Sequence, residues 1–156
     1  MADEATAAPA AFGTQKLVLV CENAPERQGV IKAALEQLGC TMLPATTAEE
    51  ATERIRRQMF EIVIVDEQFE ASGVLDNAVL KMLNSMPIGI RRHIFVVLLG
   101  REFKTFDNMM AFTRSVNVVV NLNDLPHLPA ILRKGLEDNN DFYRVFRDML
   151  AEVGKR

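Results

Sequence analysis

Asp66 is the residue best placed to do chemistry, because it ends an apolar run at positions 62–65. A carboxylate at the carboxyl end of a buried strand lies where an open α/β sheet places its ligand site. Glu22 and Asn23 follow a second apolar run, 17–21, in the same way. If these runs are neighbouring parallel strands, their polar ends meet at one edge of the sheet. We therefore expect a polar site around Asp66.

Five apolar segments predict the strands that would position these residues: 17–21, 41–44, 62–65, 94–99 and 116–120. Residues at helical spacing follow each segment, and this alternation indicates βαβ units with helices on both faces of a parallel sheet. For a chain of 156 residues, the pattern favours a flavodoxin-like (βα)5 doubly wound sheet with strand order 2-1-3-4-5. In that topology the ends of strands one, three, four and five converge.

Local signals predict where the helices begin and end. Gly39 should end the first helix, and Thr47 with Glu50 should form a capping box at the start of the second. A loop at 72–73 precedes the third helix, and Thr105 should cap a short helix at 106–113. The residues expected to face the core from the first two helices are Val30, Ile31, Ala34, Leu35, Leu38, Ala51, Ile55 and Met59.

With these elements in place, residues 16–136 resemble a response-regulator receiver domain. Receivers carry an acidic pair after the first strand that binds Mg²⁺, and here Glu22 and Asn23 occupy those positions. The receiver phosphoacceptor is matched by Asp66. Receivers also have Thr or Ser ending strand four and Lys after strand five, where this chain has Leu98 and Asn121. The resemblance is therefore to an atypical member, a pseudo-receiver with a degenerate phosphorylation site.

These departures bear directly on phosphoryl transfer, which depends on positioning and on stabilising charge. Asn121 brings no positive charge and Leu98 brings no hydroxyl. Asn23 halves the acidic pair, so Mg²⁺ held by Glu22 and Asp66 is expected to bind weakly at most and no cofactor is required. Asp66 itself keeps three interpretations: a carboxylate that caps the following turn, a residual Mg²⁺ ligand, or a phosphorylated residue.

The resemblance implies a domain at 16–136, preceded by an Ala-rich tail or linker at 1–15 and followed by a helical extension at 137–156. The extension carries an apolar stripe with alternating steps of four and three residues. It either folds back onto its own domain or contacts a partner, and the segment 137–141 could divide it into two helices. The stripe comprises Leu132, Leu136, Asn139, Tyr143, Phe146, Leu150 and Val153, widened by Phe142, Val145 and Met149.

A second apolar surface is expected on the fourth helix, at Met109, Met110 and Phe112. Receivers commonly dock partners on this face, although methionine also fills ordinary cores. We therefore interpret this surface either as a docking site or as core packing.

Composition excludes several classes of function. The net charge of −3 supplies no basic field for nucleic acid, and no apolar run approaches the roughly 20 residues of a membrane span. Neither a signal peptide nor a phosphate-binding glycine loop is recognisable. Cys21 and Cys40 lack metal-ligand spacing and are expected to be reduced thiols in a cytoplasmic protein.

These observations predict a phosphorylation-independent protein-interaction module in bacterial signal transduction, not an enzyme. Its partner would be a signalling protein or a second copy of the chain. Two alternatives remain open: a working two-component receiver phosphorylated on Asp66, and a small-molecule sensor that uses the same pocket.

Overall fold

The computed structural model describes residues 16–70 and 76–154. The predicted tail at 1–15 and the predicted loop at 72–73 lie outside the described residues. Within them, five parallel strands form a sheet in the order β2-β1-β3-β4-β5, which confirms the predicted flavodoxin-like topology. The strands are β1 (Leu17–Cys21), β2 (Thr41–Ala45), β3 (Ile62–Asp66), β4 (Phe95–Gly100) and β5 (Val118–Asn121).

Helices alternate with the strands and cover both faces of the sheet. They are α1 (Pro25–Gln37), α2 (Ala48–Arg57), α3 (Ala78–Asn84), α4 (Ile88–Arg91), α5 (Asn108–Arg114) and α6 (Leu128–Gly154), with a 3₁₀ helix at Leu122–His127. Residues of α1 and α6 pack against one face, and residues of α2, α3 and α5 pack against the other. The sheet is therefore the middle of three layers.

Alternate residues of a strand point to opposite faces of the sheet. In β3, Ile62 and Ile64 pack with α1 and α6, whereas Val63 and Val65 pack with α2 and α3. All residues of β3 are buried, which explains why this strand is a continuous apolar run rather than an alternating one. By the same alternation, Asp66 belongs to the face covered by α1 and α6.

The predicted end of the first helix agrees with the structure, and the predicted capping box of the second helix agrees in part. Gly39 follows the end of α1 with φ 77°, a left-handed conformation that favours glycine. Thr47 caps α2 by accepting a hydrogen bond from the Glu50 amide at 3.0 Å. The reciprocal half of the capping box is displaced by one residue, because the Glu50 carboxylate accepts from Thr46 rather than from Thr47.

The predicted start of the helix at 106–113 was wrong. α5 begins at Asn108, and its cap is Asp107, whose carboxylate accepts from the Met110 amide at 3.0 Å. Thr105 has a different role: its hydroxyl donates to Asp124 and accepts from the Asn121 amide. The residue thereby ties the loop after β4 to the end of β5.

Two residues predicted to face the core are exposed. Val30 is 38% exposed on α1, and Met59 is 58% exposed because α2 ends at Arg57 before the chain reaches it. The other residues expected inward from these two helices are buried.

α6 is a single helix of 27 residues, so the segment 137–141 does not divide it. Its buried residues are Leu128, Ile131, Leu132 and Leu136. Beyond Leu136 the helix continues with exposed apolar side chains. In the described part of the chain, no helix is both long enough and apolar enough to cross a membrane.

Candidate functional site

Glu22 and Asp66 meet at the carboxyl edge of the sheet. β1 and β3 are neighbours with Cys21 opposite Val65, so the next residues along the two strands, Glu22 and Asp66, lie side by side. Both carboxylates are buried, at 2% and 4% exposure. Two buried carboxylates at one edge require a counter-charge or a proton.

The counter-charge is Arg27, which lies in the first part of α1. Its Nε donates to Glu22 Oε1 at 2.9 Å, and its Nη2 donates to Glu22 Oε2 at 3.2 Å. The same Nη2 lies 3.5 Å from Asp66 Oδ2. One guanidinium therefore pairs with both carboxylates, in the bidentate geometry that a lysine could not reproduce.

Backbone amides complete the site. The Ala24 amide donates to Glu22 Oε2 at 3.0 Å, and the Gln68 amide donates to Asp66 Oδ1 at 2.8 Å. The bond to Gln68 is the turn-capping interaction that was one of the three interpretations of Asp66.

The pKa values of the two carboxyls shift in opposite directions. Burial, followed by the neighbouring Glu22, raises the pKa of Asp66 from 3.8 to about 6. Burial also acts to raise the pKa of Glu22, but hydrogen bonds from Arg27, Asp66 and the Ala24 amide outweigh it and lower that pKa. Glu22 is thus the ionised partner of Arg27, and Asp66 is the carboxyl that takes up a proton first.

Asn23, the second member of the predicted acidic pair, does not join the site. Its side-chain amide donates to the Thr46 carbonyl at 3.0 Å, toward the loop after β2. The residue therefore links two loops and leaves Glu22 as the single acidic side chain supplied by the end of β1.

Of the two positions predicted to match the receiver hydroxyl and lysine, Leu98 does not face Asp66, whereas Asn121 lines a cavity together with Arg27 and Arg101. Leu98 is buried with the residues of α2 and α3, on the face away from α1, and Leu99 is the residue paired with Asp66. The Asn121 side chain donates to the carbonyls of Arg101 and Phe103 and accepts from the Asn123 amide. Asn121 anchors a loop, and its amide hydrogens are already used.

A cavity of about 600 Å³ opens beside Asp66 and is lined mostly by polar residues. The lining residues are Arg27, Asp66, Glu67, Gln68, Arg101, Glu102 and Leu122. Gly100 lies at this edge, where an added Cβ would approach Glu67 Oε2 and the Phe103 ring to 2.6 Å. A larger residue at 100 would thus disturb the loops that follow β3 and β4.

The predicted interaction residues lie on helices that cover opposite faces of the sheet. Met109 and Phe112 of α5 are 72% and 80% exposed, whereas Met110 is half-buried against the core. On α6, Phe142, Phe146 and Leu150 are exposed. Tyr143 packs edge-to-face against Phe142 and Phe146, with ring centroids 5.2 and 6.4 Å apart.

Arg27 is the site residue that the sequence analysis missed. The available signal was its place in the helix directly after Glu22, five residues along the chain. Arg101, which lines the cavity, was likewise not recognised.

No protein-family model matches the chain, and no curated protein matches it by sequence. Several solved structures, however, are similar to the chain. The chemotaxis response regulator CheY4 of Vibrio cholerae is 14% identical with a TM-score of 0.58, covering 76% of this chain and 99% of its own. The Mn²⁺-bound response regulator Rcp1 is 17% identical with a TM-score of 0.57, covering 73% and 88%.

A third match extends further along this chain. NtrX of Brucella abortus, solved in complex with ADP, is 15% identical with a TM-score of 0.63 and covers 92% of this chain and 31% of NtrX. At these identities the likeness establishes the fold. The chain has the receiver-domain fold of two-component response regulators.

Proposed function

We propose that the chain is a phosphorylation-independent receiver-like module that associates with a second copy of itself in bacterial signalling. The observation that carries the proposal is the apolar face of α6 beyond Leu136. Six residues of this face are 40–65% exposed: Phe142, Val145, Phe146, Met149, Leu150 and Val153. We call these six residues the α6 stripe.

The α6 stripe continues the face of the helix that packs on the sheet. Leu132 and Leu136 are buried by the sheet layer, and Phe146 and Leu150 follow them on the same side of the helix. Large apolar residues on one exposed helix face mark an interaction surface rather than a solvated one. Phe146 and Leu150 line a pocket beside Arg92 and His93 of the same chain. All six residues of the stripe nevertheless stay 40–65% exposed, and an external partner would cover them.

The spacing within the stripe favours another helix as the partner. Phe142, Phe146, Met149 and Val153 are separated by steps of four, three and four, the spacing of a helix-pairing seam. A second copy of the chain presents a helix with the same seam, and twofold symmetry would bring the two seams together. A homodimer is therefore the partner to which we commit.

Independence from phosphorylation is supported by the site. Position 121 supplies no cation, and its amide is bonded to the loop after β4. Position 99, which is paired with Asp66, supplies a leucine and no hydroxyl. A phosphoryl group on Asp66 would face Arg27, which is already paired with Glu22, and Arg101, which lines the same cavity.

Light scattering and sedimentation over a range of concentrations test the association. The unaltered chain should form dimers, and Phe142→Glu with Met149→Glu should make it monomeric at unchanged helix content. Ile88→Glu is the matched control, because Ile88 is 74% exposed on α4 and lies outside the stripe. A chain that is monomeric at every concentration, with and without the stripe substitutions, would contradict the proposal.

A further inference from the structure

We infer that the Arg27 guanidinium takes the place of a divalent cation at this edge of the sheet, so the site excludes Mg²⁺ and Mn²⁺. Rcp1 has this fold and was solved with Mn²⁺. The inference concerns the site alone and goes beyond the proposed association, which does not depend on it.

The oxygens of the two carboxylates already face donors. Both Glu22 oxygens accept from the Arg27 guanidinium, and Oε2 also accepts from the Ala24 amide. Asp66 Oδ1 accepts from the Gln68 amide, and Oδ2 lies 3.5 Å from Arg27 Nη2. A hard divalent cation needs these oxygens for coordination, so it would have to displace the guanidinium.

The end of β1 supplies no second carboxylate as a metal ligand. The Asn23 side chain points toward Thr46 and is bonded there. Among the residues that the structure describes, no group of three or more His, Cys, Asp and Glu side chains could hold a metal ion. The donor set at Glu22 and Asp66 thus does not fit a divalent cation while Arg27 stays in place.

The balance of charge favours the arginine over a metal. The Arg27 guanidinium lies 2.9 Å from a Glu22 oxygen and 3.5 Å from an Asp66 oxygen, so it places one positive charge against both carboxylates. A divalent cation placed beside the guanidinium would add repulsion between like charges.

Paramagnetic broadening by Mn²⁺ tests the inference on the full chain. In the unaltered protein, Mn²⁺ should broaden the amide signals of residues 22–24 and 66–68 no more than it broadens the signals of surface residues. Arg27→Ala should gain Mn²⁺ affinity by about tenfold or more, with broadening at those amides. Arg54→Ala is the matched control, because it removes an arginine from the exposed pair with Glu50 and should gain nothing.

Each result decides the inference. Broadening at 22–24 and 66–68 in the unaltered chain, abolished by Asp66→Asn, would overturn it. So would an Arg27→Ala variant that folds and still excludes Mn²⁺. If Arg27→Ala does not fold even with Mn²⁺ present, Arg27→Gln, which is shorter than arginine but keeps a hydrogen-bond donor and removes the charge, carries the same comparison. Mn²⁺ binding by a dimeric chain would overturn this inference alone, and a monomer that excludes Mn²⁺ would overturn the proposed function alone.

Discussion

Arg27 and Glu22 form a bidentate ion pair at the start of α1, with Nε 2.9 Å from Oε1 and Nη2 3.2 Å from Oε2. The Glu22 side chain is 2% exposed and that of Arg27 is 28% exposed. The pair closes the carboxyl edge of the sheet over Asp66. Its geometry governs the charge, the protonation and the stability of the candidate site.

Arg27→Ala should destabilise the fold by about 3 kcal/mol, because it leaves two buried carboxylates without their cation. Arg54→Ala, which removes an exposed pair within α2, should cost less than about 1 kcal/mol. Urea denaturation of the two variants beside the unaltered chain measures both values. Equal, small losses would show that the guanidinium does not balance the buried charges.

Asp66→Asn should change how stability depends on pH. The folded-state pKa of Asp66 is raised from 3.8 to about 6, so between these values the folded chain holds a proton that the unfolded chain has released. Stability therefore falls as pH rises through this window, and the loss is complete above it.

Asparagine resembles the protonated acid at every pH, so the variant should match the unaltered chain near pH 4 and exceed it above neutrality by on the order of 2 kcal/mol. Glu22 contributes in the opposite sense, because its lowered pKa makes stability fall as pH falls. Thermal melts across the pH range supply the comparison. An Asp66→Asn variant that is less stable than the unaltered chain above neutrality would contradict this assignment, in which the ionised form of Asp66 destabilises the folded chain.

Asn121→Lys should destabilise the domain by about 1–3 kcal/mol, because it leaves the polar groups of the loop after β4 without their partner. The lost bonds are those from the side-chain amide to the carbonyls of Arg101 and Phe103. Asn123→Lys is the control, since Asn123 is exposed and lies two residues further along. Similar denaturation midpoints for the two variants would show that Asn121 is not an anchor.

Ending the chain after Asn140 should leave domain stability within about 1 kcal/mol while abolishing the dimer. The buried residues of α6 end at Leu136, so little buried apolar surface is lost. Denaturation and light scattering on intact and shortened chains measure the two effects separately. A large loss of stability in a chain that remains dimeric would mean that the extension packs on its own domain instead.

Much of the fold could be predicted because burial determines the sequence of a parallel sheet directly. The runs before Glu22 and Asp66 are apolar since both faces of β1 and β3 are covered, and their neighbouring ends followed from topology. Arg27 could not be predicted in the same way. Its side chain reaches back from α1 to two strand ends, and that reach depends on the tertiary position of the helix.

Local signals were less reliable where tertiary packing or a neighbouring residue decided the outcome. Asp107 lies closer to the start of α5 than Thr105 and caps it. The polar segment 137–141 favours turns, yet α6 runs through it without a break. Met59 matched the helical spacing of α2, but the helix had ended at Arg57.

The most direct test of the account is the mass of the chain after incubation with acetyl phosphate and Mg²⁺. The account predicts an unmodified chain, because Arg27 is paired with Glu22, position 121 has no cation and position 99, which is paired with Asp66, has no hydroxyl. Asn121→Lys should remain unmodified as well, since it restores one missing group of several. An increase equal to one phosphoryl group in the unaltered chain, absent from Asp66→Asn, would contradict the central claim and establish Asp66 as a working phosphoacceptor.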